Sequence, residues 1–92
     1  MPQKTILDEY MDDPEFVQTF AQEEFILEIT ERICEIMQQD NVSRTELACR
    51  LGCTKGNITQ LLGGGRNLTV RRIADIFRVL GYRPRITWEK VN

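Results

Sequence analysis

The sequence predicts an all-α domain of short capped helices that finishes in one β-strand. Three observations predict it. Apolar residues recur three and four apart from Phe16 to Leu80, the spacing of an amphipathic helix. Cap residues and glycines bracket the later stretches: Ser43, Thr54 and Thr69 stand before them, and Gly52, Gly63 and Gly81 after. Beyond Gly81 the period drops to two, with Tyr82, Pro84, Ile86 and Trp88 alternating with Arg83, Arg85, Thr87 and Glu89. The length of 92 residues and the 41% hydrophobic content suit one globular domain.

Taken in order, Ile6, Leu7, Tyr10 and Met11 make one or two amphipathic turns. Asp13-Pro14 then reads as an N-cap followed by proline at the first helical position, where its missing N–H costs nothing. No glycine or proline interrupts the chain from there to Gln39. Phe16, Val17, Phe20 and Ala21 form one apolar stripe, and Ile26, Ile29, Ile33, Ile36 and Met37 a second of different phase. That pattern fits one bent helix or two consecutive ones. "QDNVS" breaks it, and Ser43 with Glu46 makes a capping box for the next helix, whose inner face is Leu47, Ala48 and Leu51. Thr54 caps a further helix facing inward through Ile58, Leu61 and Leu62, with Cys53 positioned to staple onto Ile58. Thr69 caps the last, with Leu68 stapling onto Ile73 and with Val70, Ile73, Ala74, Phe77 and Leu80 as its expected buried side. The single domain thus divides into an acidic helical extension (1–27), a helical core (28–81) and a terminal strand (82–92). A lone strand needs a partner for its backbone, and no second strand is readable here.

The net charge of −2 conceals two opposite halves. Residues 1–42 hold eleven acids against two bases, a net of −9, while residues 43–92 hold three acids against ten bases, a net of +7. A split of this kind points to one face that meets a polyanion and another that does not. The plainer alternative is two solvated faces of opposite sign that pack together.

Within the basic half, "SRTELACRLGCTKGNITQLLGGG" carries two short capped helices joined by a tight turn. Ala48 supplies a small residue where the second helix crosses the first, and Gly52 supplies a residue tolerant of positive φ. Leu47, Leu51, Ile58 and Leu61 key the pair into a core. Together these are the marks of a helix-turn-helix. The stretch "SRTELACRLGCTKGNITQLLGGGRNLTVRRIADIFRVLG" also resembles the phage-repressor helix-turn-helix family (Cro- and lambda-repressor-like, or xenobiotic-response-element). The resemblance spans about Glu28 to Gly81 and is strongest in "ELACRLG" and "GRNLTVRRIADIFRVLG". It implies that Thr54–Leu62 lies in the major groove of double-stranded DNA. The chain departs from the family pattern at Gly56, where a base-reading side chain is often found, and in the acidic extension. The extension suggests an added role in dimerisation or in binding a protein.

A helical wheel separates readers from packers. With Ile58, Leu61 and Leu62 inward, the outer side presents Gly56, Thr59, Gln60 and Gly63, flanked by Lys55 and Asn57. Lys55, Asn57, Thr59 and Gln60 are the candidate base readers, Gln60 being suited to adenine and Lys55 to guanine or phosphate. Arg44, Thr54, Arg66, Asn67, Arg71 and Arg72 are candidate backbone contacts, which set register without reading sequence. Ile86 and Trp88 are candidate dimerisation residues, covered by helices once the strand pairs with that of a second copy.

Other chemistries find little footing. The absence of histidine removes the histidine general base and the His-Cys triad. Cys34, Cys49 and Cys53 are an odd number, against a disulfide framework, and leave a zinc site one ligand short. Cys49 falls on the outer side of its helix, where oxidation is open to it. Glu23, Glu24, Glu28, Glu31 and Glu35 spread around their helix as a solvated acidic face, and Gly63-Gly64-Gly65 ends a helix instead of opening one as a phosphate cradle does. No apolar run nears the ~18 residues of a membrane span. No signal peptide is readable, so a cytoplasmic location is expected. The expectation is a DNA-binding repressor without enzymatic activity or cofactor, a homodimer that covers an inverted repeat. The alternative is an antitoxin whose acidic segment neutralises a toxin while the same domain regulates its own operon.

Overall fold

The computed structural model describes residues 12–63 and 68–91, and it is helical: α1 (Pro14–Gln39), α2 (Arg44–Leu51), α3 (Lys55–Leu62) and α4 (Val70–Leu80). Each helix starts where a side-chain oxygen takes up one of its unpaired N–H groups. Asp13 accepts from Glu15 N at 3.0 Å, Ser43 from Glu46 N at 3.0 Å, and Thr54 and Thr69 from Asn57 N and Arg72 N, each at 3.1 Å. The reciprocal half of the expected capping box does not form. Glu46 turns its carboxylate to Arg50 Nε at 3.2 Å instead, one helical turn away.

Three of the helices end the same way. An N–H two or three residues past the helix reaches back to a carbonyl five residues earlier: Val42 to Met37 at 2.8 Å, Cys53 to Ala48 at 2.9 Å, Tyr82 to Phe77 at 2.9 Å. That geometry puts one residue in the left-handed region, namely Asn41 (φ 56°), Gly52 (φ 71°) and Gly81 (φ 90°). The "QDNVS" break is therefore a defined stop, since asparagine tolerates this conformation, and it carries Val42 into the core.

The two apolar stripes of the amino-terminal stretch lie on one helix, 26 residues long, which runs through the boundary expected at residue 27. Only its second stripe joins the core. Ile33 and Met37 are buried and Ile29 and Ile36 pack beside them, whereas Phe16 and Phe20 stack on each other at 6.0 Å. The molecule is accordingly elongated, 52 Å against 26 and 22 Å. α1 packs on α3 and α4, and α2 packs on both as well. One side chain from each helix is completely buried: Ile33, Leu47, Ile58 and Ile76. Cys53 and Leu68, the expected staples, pack against this core. Among the described residues no helix is long and apolar enough to cross a membrane.

Two expectations are corrected. The buried side of α4 departs from the expected one at two of its five residues: Val70 is 82% exposed and Ala74 is exposed, whereas Leu80 is buried and Ile73 and Phe77 are half-buried, and Ile76, outside the expected set, is completely buried. The first turn of α4 overhangs the core, and a methyl group such as that of Ala74 has little to gain by burial. No strand exists among the described residues either. Residues 82–91 carry no regular structure, and Ile86 and Trp88, expected under cover only once the strand pairs with that of a second copy, are 81% and 88% exposed in the single chain. No described residue offers this segment a ladder. The turns expected around Ile6, Leu7, Tyr10 and Met11 lie outside the described residues.

Helix α4 tests the packing directly. Ile76→Ala removes a completely buried side chain and should cost about 2–5 kcal/mol in urea unfolding, whereas Val70→Ala should change stability by less than about 0.5 kcal/mol. Equal effects would mean that Val70 is covered as fully as Ile76.

Candidate nucleic-acid interface

The α2–α3 pair is joined by three residues, Gly52, Cys53 and Thr54. Gly52 sits in the left-handed region with nothing within 4 Å of where a Cβ would be, so backbone conformation and not space calls for glycine. α3 then buries Ile58 and Leu61 against the core and half-buries Leu62. Its other side is left to water: Lys55, Gly56, Thr59, Gln60 and Gly63 are all exposed.

The structure sorts the polar residues around α3 into those that hold it and those left available. Arg44, at the start of α2, donates from Nη1 to Thr59 Oγ1 at 3.4 Å, and that hydroxyl donates to Lys55 O at 3.1 Å. Arg44 and Thr59 thus share one surface, between the start of α2 and the outer side of α3. Asn57 is different. It is half-buried, and its Oδ1 accepts from Arg72 Nη2 at 3.1 Å, which ties α3 to α4. These two residues, read in the sequence as a base reader and a backbone contact, occupy each other. Arg71 is exposed, and Thr54 has its hydroxyl engaged in capping α3. Arg66 and Asn67 lie outside the described residues. Ile86 and Trp88 belong to the tail and not to this surface.

One further tie was not legible in the chain. Arg50 donates from Nη1 to Val79 O at 3.1 Å, satisfying a carbonyl that the end of α4 leaves open, while its Nε holds Glu46. Only the spacing to Glu46 was readable in the chain. A comparable tie joins Tyr82 to Asp40, hydroxyl to carboxylate at 2.9 Å, across the end of α1. That hydrogen bond, with a small loss of hydration and the carboxylate's charge, raises the tyrosine pKa above its ordinary value.

Electrostatically the surface is open and positive. Arg44, Lys55 and Arg71 form no ion pair among the described residues, in contrast to Arg32 with Glu35, Arg50 with Glu46 and Arg78 with Asp75. Gly56 lies in the middle of the exposed face. A Cβ there would meet only Thr54 Oγ1 at 3.9 Å, an ordinary contact, so the fold itself places no demand for glycine at this position. The other concavity of note is an open cleft of about 670 Å³ between α1 and the start of α2, lined by Glu31, Cys34, Glu35 and Arg44 among others. Among the described residues no three cysteine, aspartate or glutamate side chains converge as a metal site would need.

Comparison with known proteins found no matching family model, no matching curated protein and no matching solved structure. Function is therefore read from the residues themselves.

Two measurements probe this geometry. A double-mutant cycle of Asn57→Ala with Arg72→Met should return a coupling of about 0.5–1.5 kcal/mol, the worth of one partly buried hydrogen bond. A coupling near zero would release Asn57 to the outer face. Gly56→Ala should stabilise the fold, by up to about 0.5–1 kcal/mol in urea unfolding, because a helix pays for glycine in backbone entropy.

Proposed function

We propose that the α2–turn–α3 pair is a helix-turn-helix that binds double-stranded DNA with α3 in the major groove, and that the chain is a transcriptional repressor of the phage-repressor kind. The observation that carries this reading is the outer face of α3. It presents Gln60 and Thr59 to water, and Arg44, Lys55 and Arg71, in the +7 half of the chain, are exposed and form no ion pair among the described residues. Such a face has no packing duty, and its donors suit base edges at the centre and phosphates at the border. Gln60 reads a base and Arg44 and Arg71 hold phosphates. Gly56 lets the backbone of α3 come close to the duplex. Asn57 and Arg72 hold α3 at its angle.

Two copies bind an inverted repeat with their α3 helices about 34 Å apart, one turn of DNA. They block transcription by occupying the site, and Ile86 and Trp88 contribute to the contact between copies. A second reading, an antitoxin whose acidic α1 binds a toxin, draws on the apolar Phe25 and Leu27, 62% and 57% exposed on that helix.

Selection from a random duplex library, followed by titration, separates the roles. Gln60→Ala should cost about 1–3 kcal/mol on the selected site and relax preference at one base pair, while Arg44→Ala should weaken all sequences alike. With Arg44, Lys55, Arg66 and Arg71 as the phosphate contacts of each copy, log K should fall against log salt with a slope of about −4 to −7. A slope near zero would remove DNA as the partner.

A further inference from the structure

The amino-terminal half of α1 leaves the core behind, and it carries an apolar patch with a charged border. Residues three, four and seven apart are neighbours on a helix, so Leu27 sits among Phe20, Glu23, Glu24 and Glu31. Leu27 is exposed, Phe20 is half-buried, and the three glutamates are exposed. The whole helix holds six glutamates against one arginine. A surface of this kind suits an apolar ligand that brings its own positive charge.

The tail beyond Gly81 has those properties. Ile86, Trp88 and Val91 are exposed there as large apolar side chains, and Arg83, Arg85 and Lys90 face a single acid, Glu89. Tryptophan and arginine are the residues that most often carry interface energy. Within its own chain the tail is exposed at every residue from 81 to 91. Its tie to α1 is at Asp40, thirteen residues and about 20 Å of helix from Leu27. A second copy presents the same acidic patch and the same basic tail. Two such contacts are self-complementary about a twofold axis, the commonest symmetry of soluble oligomers.

We propose that the Phe20–Leu27 patch of α1 receives the tail of a second copy, with Ile86 and Trp88 against the apolar centre and Arg83 and Arg85 against Glu23, Glu24 and Glu31. The inference rests on the homodimer reading above and names the surface that receives the tail. It differs from the pairing of two tails along their backbones, in which the carboxylates of α1 are bystanders.

Charge exchange tests it, with sedimentation equilibrium of the full chain in the absence of DNA as the readout. The positions are exposed, so the folded helices should survive, as circular dichroism will verify. Arg83→Glu with Arg85→Glu should raise the dimer dissociation constant about tenfold or more, and so should Glu23→Lys with Glu24→Lys. All four changes in one chain should bring the constant back toward that of the unaltered protein. Rescue of that kind cannot come from a merely structural role. Dimerisation unaffected by the lysine pair but lost with the glutamate pair would overturn the α1 surface and leave the homodimer standing. A chain that stays monomeric at every concentration would overturn both.

Discussion

Four side chains, one from each helix, are withdrawn completely from water: Ile33, Leu47, Ile58 and Ile76. Nearly everything else in the fold follows from that meeting point. The helices α2, α3 and α4 run from eight to eleven residues, too short to persist alone in water, so their stability comes from this shared burial. Burying a Leu or Ile side chain is worth about 1.5–3 kcal/mol, more than any one surface ion pair of the chain supplies. The anchor also fixes which side of α3 is free. Once Ile58 and Leu61 are committed inward, Thr59 and Gln60 have only the solvent side left to them.

Hydrogen bonds between elements refine what burial sets. Arg72 to Asn57 ties α4 to α3, Arg50 to Val79 ties α2 to α4, and Tyr82 to Asp40 ties the tail to the end of α1. Each adds little energy at a surface. Their value is directional, because a hydrogen bond resists rotation of a helix about its axis more sharply than an apolar contact does. The orientation of the outer face of α3 depends on that resistance, since a displacement of one residue turns a helix face by about 100°.

The distribution of charge follows the same architecture. The basic residues gather in the helices after α1 and in the tail, and the acidic ones along α1, which holds six glutamates against one arginine. A chain of net charge −2 thereby presents a positive surface at one place and a negative one at another. Screening over about 10 Å at 0.1 M salt keeps the two from cancelling across an elongated molecule.

By itself the sequence determined where the four helices begin and end. Asp13, Ser43, Thr54 and Thr69 cap, and Gly52 and Gly81 stop, because these interactions close within five residues and need nothing from the rest of the chain. The outer face of α3 was legible for the same reason, from the spacing of Ile58 and Leu61. Only the tertiary structure decided the burial of Ile76 in place of Val70 and Ala74, the engagement of Asn57, the second bond of Arg50 and the exposure of Trp88. Those outcomes join residues 15 and 29 positions apart, or depend on how the helices meet and on the lack of a paired strand among the described residues. Periodicity reports that a helix has an apolar side. It does not report how far the neighbouring helices reach along it, and that reach decides which of the apolar residues are covered.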